Sequence, residues 1–271
     1  MTRLASTFAA LRARRQAALV PYFTAGDPDL ATTRELVRAA VAEGADAIEL
    51  GVPFSDPMAD GPVLQRSATR ALAAGTTLPR VLQLVADLRT ETEVPIVLFG
   101  YYNPFFRYGV EAIARDAASA GADAFLCVDL PPEESGELRL AAAGAGLDTI
   151  ALLAPTTPPA RIRMIARAAS GFLYFVSVLG TTGARTVLPP ELPAWIARVR
   201  RATDLPVGVG FGVSTPEQAA WIAGLADAVI VGSALARLIE EGERADVPAR
   251  VARFLRGLKT AMQDAVAARV G

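Results

Sequence analysis

Residues Glu43-Gly44-Ala45-Asp46-Ala47-Ile48-Glu49-Leu50-Gly51 carry the chain from the end of a helix, through a tight turn, into a short apolar strand. Glycine suits the left-handed residue that closes a helix, and aspartate suits the turn after it. A similar passage recurs at Ala120-Gly121-Ala122-Asp123-Ala124 and at Leu225-Ala226-Asp227-Ala228. The three form a weak internal repeat of helix, turn and strand. Asp46, Asp123 and Asp227 therefore belong at the N-terminal ends of strands, where turn chemistry explains them.

Outward from these passages, short apolar runs bounded by Gly, Pro or Asp alternate with longer stretches of helical period. Eight runs read as strands: 19–23, 47–50, 96–99, 124–128, 149–153, 172–176, 207–209 and 228–231. Helical segments follow them, for example 30–43, 78–89, 110–120 and 159–169. Predominantly hydrophobic strands imply a parallel sheet covered by helices, and eight repeats favour closure. The predicted fold is a single (β/α)8 TIM barrel, one domain over residues 1–271. It carries an extra N-terminal helix, since Leu4, Phe8 and Leu11 recur at helical spacing and run without a spacer into the first strand. Such a helix would pack on the core and close the bottom of the barrel.

Composition excludes whole classes of chemistry. Hydrophobic residues make up 52% against 20% charged, enough for a large core, and a net charge of −1 without long runs of one sign argues against nucleic-acid or anionic-membrane binding. There is no histidine, which removes the commonest base and metal ligand and every Ser-His or Cys-His nucleophile. The one cysteine, Cys127, sits in an apolar strand as a packing residue, and a lone cysteine points to the cytoplasm. Lys259, the single lysine, lies in a helical C-terminal stretch, far from the strand end a Schiff-base enzyme requires. No run of about 18 apolar residues suggests a membrane span.

At the C-terminal ends of the strands, where barrels of this kind hold their active sites, the sequence changes character. Period-two alternation sets Glu49 opposite Ile48 and Leu50; if those two face the helices, Glu49 points into the barrel top. Burial would raise its pKa toward the range where one carboxyl both gives and takes a proton. The long loop that follows, punctuated by Pro53, Pro57 and Pro62, holds Asp56 and Asp60, which physics alone does not separate. Late in the chain, Gly180-Thr181-Thr182-Gly183, Gly210-Phe211-Gly212 and Gly232-Ser233-Ala234 place glycines at successive strand ends. Barrels bind phosphate there, on backbone N–H groups and a helix N-terminus, with no need for lysine.

The segment Glu49-Leu50-Gly51-Val52-Pro53-Phe54-Ser55-Asp56-Pro57-Met58-Ala59-Asp60-Gly61-Pro62 closely resembles the signature of the tryptophan synthase alpha chain family. Resemblance continues through Gly26-Asp27-Pro28, Tyr101, Asn103, Asp129-Leu130-Pro131, Tyr174, Thr182-Gly183 and Val231-Gly232-Ser233, over nearly the whole chain. Tyr22 stands where the family usually has Phe, Phe172 where Tyr is frequent, and Val178-Leu179 depart in the second loop.

The resemblance implies a lyase that splits indole-3-glycerol phosphate into indole and glyceraldehyde 3-phosphate by a retro-aldol route in tryptophan biosynthesis. Glu49 and Asp60 would be catalytic. Gly183, Gly212, Gly232 and Ser233 would hold the phosphate; Tyr22, Phe99, Leu126, Tyr174 and Phe211 would wall the indole; Thr182 and Asp56 would act in loop closure. No cofactor or metal is expected in this chain. The implied partner is a beta chain carrying pyridoxal phosphate, in an alpha2beta2 complex. Two rival readings are another phosphate-binding barrel, of indole-glycerol-phosphate synthase or sugar-phosphate isomerase type, and a mainly activating subunit. The synthase type resembles an enzyme that depends on an active-site lysine, and this chain has no lysine at a strand end to offer.

Overall fold

The computed structural model describes residues 2–176, 188–210 and 212–267. Eight strands, β1 (Ala18–Thr24), β2 (Ile48–Gly51), β3 (Ile96–Gly100), β4 (Ala124–Cys127), β5 (Asp148–Leu153), β6 (Leu173–Val176), β7 (Val207–Gly210) and β8 (Ala228–Val231), form a closed parallel barrel in chain order. Around it run α1 (Arg3–Ala13), α2 (Leu30–Ala42), α3 (Pro62–Ala73), α4 (Leu78–Arg89), α5 (Tyr102–Tyr108) and α6 (Val110–Ala120). The second half contributes α7 (Gly136–Gly144), α8 (Pro159–Ala168), α9 (Leu192–Arg200), α10 (Pro216–Ala223), α11 (Ser233–Glu240) and α12 (Val247–Ala267). The eight predicted strands stand within one or two residues of their expected limits. Two βα connections, after β2 and after β3, hold two helices where the sequence rhythm suggested one.

Strand alternation divides the core in two. Outward residues such as Ile48, Leu50, Leu98 and Phe175 pack under the helices, while inward residues such as Val20, Val97, Leu126 and Ile230 fill the barrel. The α1 helix closes the lower end: Leu4, Phe8 and Leu11 join the inner cluster, and the Phe8 ring lies 5.5 Å from that of Phe172. Thr2 Oγ1 donates to Asp148 Oδ2 at 2.6 Å, and Arg3 Nη1 to Asp123 Oδ1 at 3.1 Å, which fixes the plug.

The repeated aspartates do the turn work expected of them. Asp46, Asp123 and Asp227 accept from the backbone N–H of Leu19, Ile96 and Val207 at 2.8, 2.8 and 2.9 Å, each at or beside the first residue of the strand one repeat earlier. Lys259 Nζ lies 2.6 Å from Asp46 Oδ2, at this lower end and away from the barrel mouth. Burial and the neighbouring Asp129 carboxylate push the Cys127 thiol well up, so it is no nucleophile at neutral pH. With the bottom plugged, the upper mouth is the open end of the barrel.

Candidate active site

Parallel pairing sets Glu49 beside Tyr22 of β1 and Val97 of β3, on the inner face. The carboxyl is 1% exposed, and neither oxygen has a hydrogen-bond partner among the described residues. Burial alone pushes its pKa up to about 8. Glu49 is therefore mostly a neutral acid at pH 7, able to donate a proton.

Asp60 reaches the same chamber from the β2–α3 loop, whose backbone is held by Asp60 N–H to the Pro57 carbonyl and by Gln65 Nε2 to the Asp60 carbonyl. Tyr101, just past β3, donates its hydroxyl to Asp60 Oδ2 at 3.1 Å. Burial pushes the Asp60 pKa up to about 6, and the Tyr101 hydrogen bond opposes that rise. At neutral pH Asp60 is mostly an anion beside a neutral Glu49. Two carboxyls with separated pKa values can divide acid and anion roles.

Tyr22, Phe99, Leu126 and Tyr174 are all buried and inward-facing. Tyr22 stands edge-on to Phe99, with centroids 5.1 Å apart. Desolvation raises the pKa values of both tyrosines, and the charges of Glu49 and Asp60 raise them further, so the four groups lie within electrostatic reach of one another. Two glycines make its width possible. A Cβ on Gly51 would lie 2.2 Å from the Tyr22 hydroxyl oxygen, and one on Gly210 would lie 2.0 Å from that of Tyr174.

Past the end of β8, Gly232 caps α11 with no side-chain hydrogen bond, and Ser233 is the first residue of that helix. The α10 terminus differs: Thr215 and Gln218 form a capping box, and Ser214 N–H donates to Gln218 Oε1 at 2.8 Å. The first turn of α10 is thus capped by its own side chains, whereas α11 begins without a side-chain cap. Gly212 takes φ +89°, a backbone that favours glycine, beside the end of β7.

Thr182, Gly183 and Phe211 lie outside the described residues. Asp56 is exposed, accepts from Ser55 Oγ at 2.5 Å and stands apart from the buried pair. Tyr101 is the residue that sequence reading undervalued. It entered only through family resemblance, and no spacing rule links it to Asp60 across a loop. Leu152 and Val176 also line the cavity beside Asp60. Period two from Ile150 and Tyr174 would have found them. No group of three or more His, Cys, Asp or Glu among the described residues could hold a metal.

The tryptophan synthase alpha chain family model matches residues 8–266. A tryptophan synthase alpha chain of Geobacter sp. (strain M21) is 54% identical over 259 residues, covering 96% of this chain and 97% of its own. That of Citrifermentans bemidjiense is 55% identical over the same length and coverage. The crystal structure of tryptophan synthase subunit alpha from Legionella pneumophila str. Paris superposes with a TM-score of 0.91 at 41% identity, covering 97% of this chain and 99% of that one. A Mycobacterium tuberculosis tryptophan synthase structure gives 0.89 at 38% identity, over 96% and 98% of the two chains. By sequence, barrel topology and full-length coverage, the chain belongs to the tryptophan synthase alpha chain family.

Proposed function

We propose that Glu49 and Asp60 carry the cleavage of indole-3-glycerol phosphate that this family performs, with Glu49 as the proton shuttle and Asp60 as a fixed anion. The observation that carries this reading is the buried Glu49 carboxyl, unpartnered among the described residues, with the Tyr101-held Asp60 acting on the same tyrosines, Tyr22 and Tyr174. Neutral Glu49 protonates the indole ring carbon that bears the glycerol chain. Positive charge then spreads to the ring nitrogen, whose N–H donates to ionised Asp60. The Glu49 carboxylate takes the proton of the adjacent hydroxyl, whose oxygen electrons form the aldehyde carbonyl. The carbon–carbon bond pair returns to the ring, releasing indole and glyceraldehyde 3-phosphate with no net proton consumed.

The phosphate rests on Gly212, Gly232 and Ser233, where the uncapped α11 N-terminus favours an anion. Thr182, Gly183 and Phe211 complete the substrate site by family resemblance, and Asp56 belongs to the closing loop. The beta chain is the partner, in an alpha2beta2 complex. Met58 and Phe106, 87% and 57% exposed, lie on segments that follow β2 and β3 and offer it apolar surface. Pyridoxal phosphate belongs to that partner, since the only lysine of this chain is paired with Asp46 at the lower end. The biosynthetic role of the family supports a cytoplasmic placement. Among the described residues no helix is long and apolar enough to cross a membrane.

The test is indole release from indole-3-glycerol phosphate by the purified chain, alone and with a beta chain. Turnover that rises with the partner supports the reading. Absence of turnover in both conditions, with the fold intact by circular dichroism, contradicts it.

A further inference from the structure

The cavity at the barrel mouth does not stop at the barrel wall. From Asp60, Phe99 and Val176 it continues past the β4–α7 and β5–α8 connections and along the outside of β5, about 550 Å³ in all. There α7 packs on α6 and α8 on α9, and a slot opens between α7 and α8. Leu138 of α7, Ile165 of α8 and the outward side chains Phe125 and Leu153 form its walls. Thr149 and Ala151 of β5 and Cys127 of β4 face this slot and are half-buried, whereas the other outward strand residues are buried. Among the described strand residues, the void is therefore a loosening of packing at this sector of the barrel.

Its outer end is cationic. Arg139 and Ala168 form a wall shared with a shallower cavity of about 390 Å³, which Arg163, Met164 and Arg167 also line. The Arg139 guanidinium makes one hydrogen bond, from Nη1 to the Ala168 carbonyl at 3.3 Å, and its Nε is buried with no acceptor among the described residues. Arg161, on the same slot, is already paired with Glu133 at 2.5 Å. Asp129, also on the slot, accepts from Tyr102 N–H and from Cys127 Sγ. No carboxylate among the described residues pairs with Arg139, Arg163 or Arg167, in a chain whose net charge is −1.

A buried guanidinium N–H without an acceptor is unfavourable, and an apolar void forfeits dispersion contacts. One kind of ligand relieves both: an anion that meets the Arg fork, attached to an apolar body that fills the slot. We propose that the slot between α7 and α8 is a second binding site, for a small carboxylate with an apolar body. Arg139 takes the carboxylate, the field of Arg163 and Arg167 favours its charge, and Phe125, Leu138 and Ile165 enclose the rest.

The test is calorimetric titration of the full chain with 2-naphthoate. Saturable one-to-one binding is expected, weakened at least tenfold by Arg139→Gln and lost in Ala168→Phe, which fills the slot from its outer wall. Glu49→Gln should leave the affinity within twofold, which separates this slot from the barrel mouth and makes the outcome independent of turnover. Should Ala168→Phe fail to fold by thermal melting, Ala151→Leu fills the slot from the strand side and carries the same expectation. Absence of saturable binding at millimolar naphthoate, affinity unchanged in Arg139→Gln and the slot-filling variant, or loss of binding in Glu49→Gln would each overturn the proposal.

Discussion

The Tyr101 hydroxyl donates to Asp60 Oδ2 at 3.1 Å and accepts from the Ala59 N–H at 3.0 Å. One side chain at the end of β3 thus holds both the carboxylate and the loop backbone that carries it, which makes Tyr101 a positioning residue for Asp60. Tyr101→Phe removes both bonds, each of order 1 kcal/mol. Because the bond opposes the rise in the Asp60 pKa, its loss should move the acid limb of activity to higher pH. We expect kcat/KM at pH 7 to fall roughly tenfold. The pH–rate profile of the variant checks this; an unshifted acid limb would count against the role.

The two carboxyls predict a bell-shaped profile. The productive free enzyme has Asp60 ionised and Glu49 protonated, so kcat/KM should rise as pH passes about 6 and fall above about 8. These limbs belong to the pair as macroscopic values. A profile flat from pH 5 to 9 would exclude the assigned protonation states.

Glu49 also costs stability. Its carboxyl ionises near 4.5 in the unfolded chain and at about 8 in the folded one, so between those values the unfolded state releases the proton first. The native state accordingly loses stability as pH rises from 4.5 to 8, by up to about 5 kcal/mol. Glu49→Gln should be catalytically poor yet more stable than wild type, with the advantage growing between pH 5 and pH 8. Urea unfolding at the two pH values measures it.

The barrel was legible because its signals are local. Glycine and aspartate at the helix-to-strand turns, and short, mainly apolar strands, are short-range patterns that tertiary packing then reinforced. Glu49 was legible for the same reason, since alternation with Ile48 and Leu50 fixes its face. Asp60 was not separable from Asp56 by local chemistry, because a loop has no period, and only family resemblance chose between them. Tyr101 and the slot beside Arg139 depend on where loops and helices from distant parts of the chain come to rest, which no periodicity encodes.

Gly232 offers a clean probe of the phosphate end. Its φ of −121° lies outside the left-handed region, and a Cβ there would meet nothing nearer than Tyr22 Cβ and Cδ1 at 3.5 Å. Gly232→Ala should therefore fold with a thermal midpoint near wild type. If the phosphate approaches this backbone, the added methyl should raise KM by roughly tenfold or more, about 1.4 kcal/mol of binding. An unchanged KM would remove Gly232 from the site. Gly210→Ala is the contrast, since its Cβ would collide with the Tyr174 ring and disturb the barrel itself.

The central claim is that Glu49 moves the proton and Asp60 supplies the anion, and steady-state indole release by Glu49→Gln beside Asp60→Asn tests it most directly. General acid–base catalysis of this kind contributes on the order of 100- to 10,000-fold. The account predicts that kcat falls by that amount in Glu49→Gln with KM little changed, and that Asp60→Asn also loses at least about 100-fold. A folded Glu49→Gln variant that retains kcat within about tenfold of wild type would contradict it.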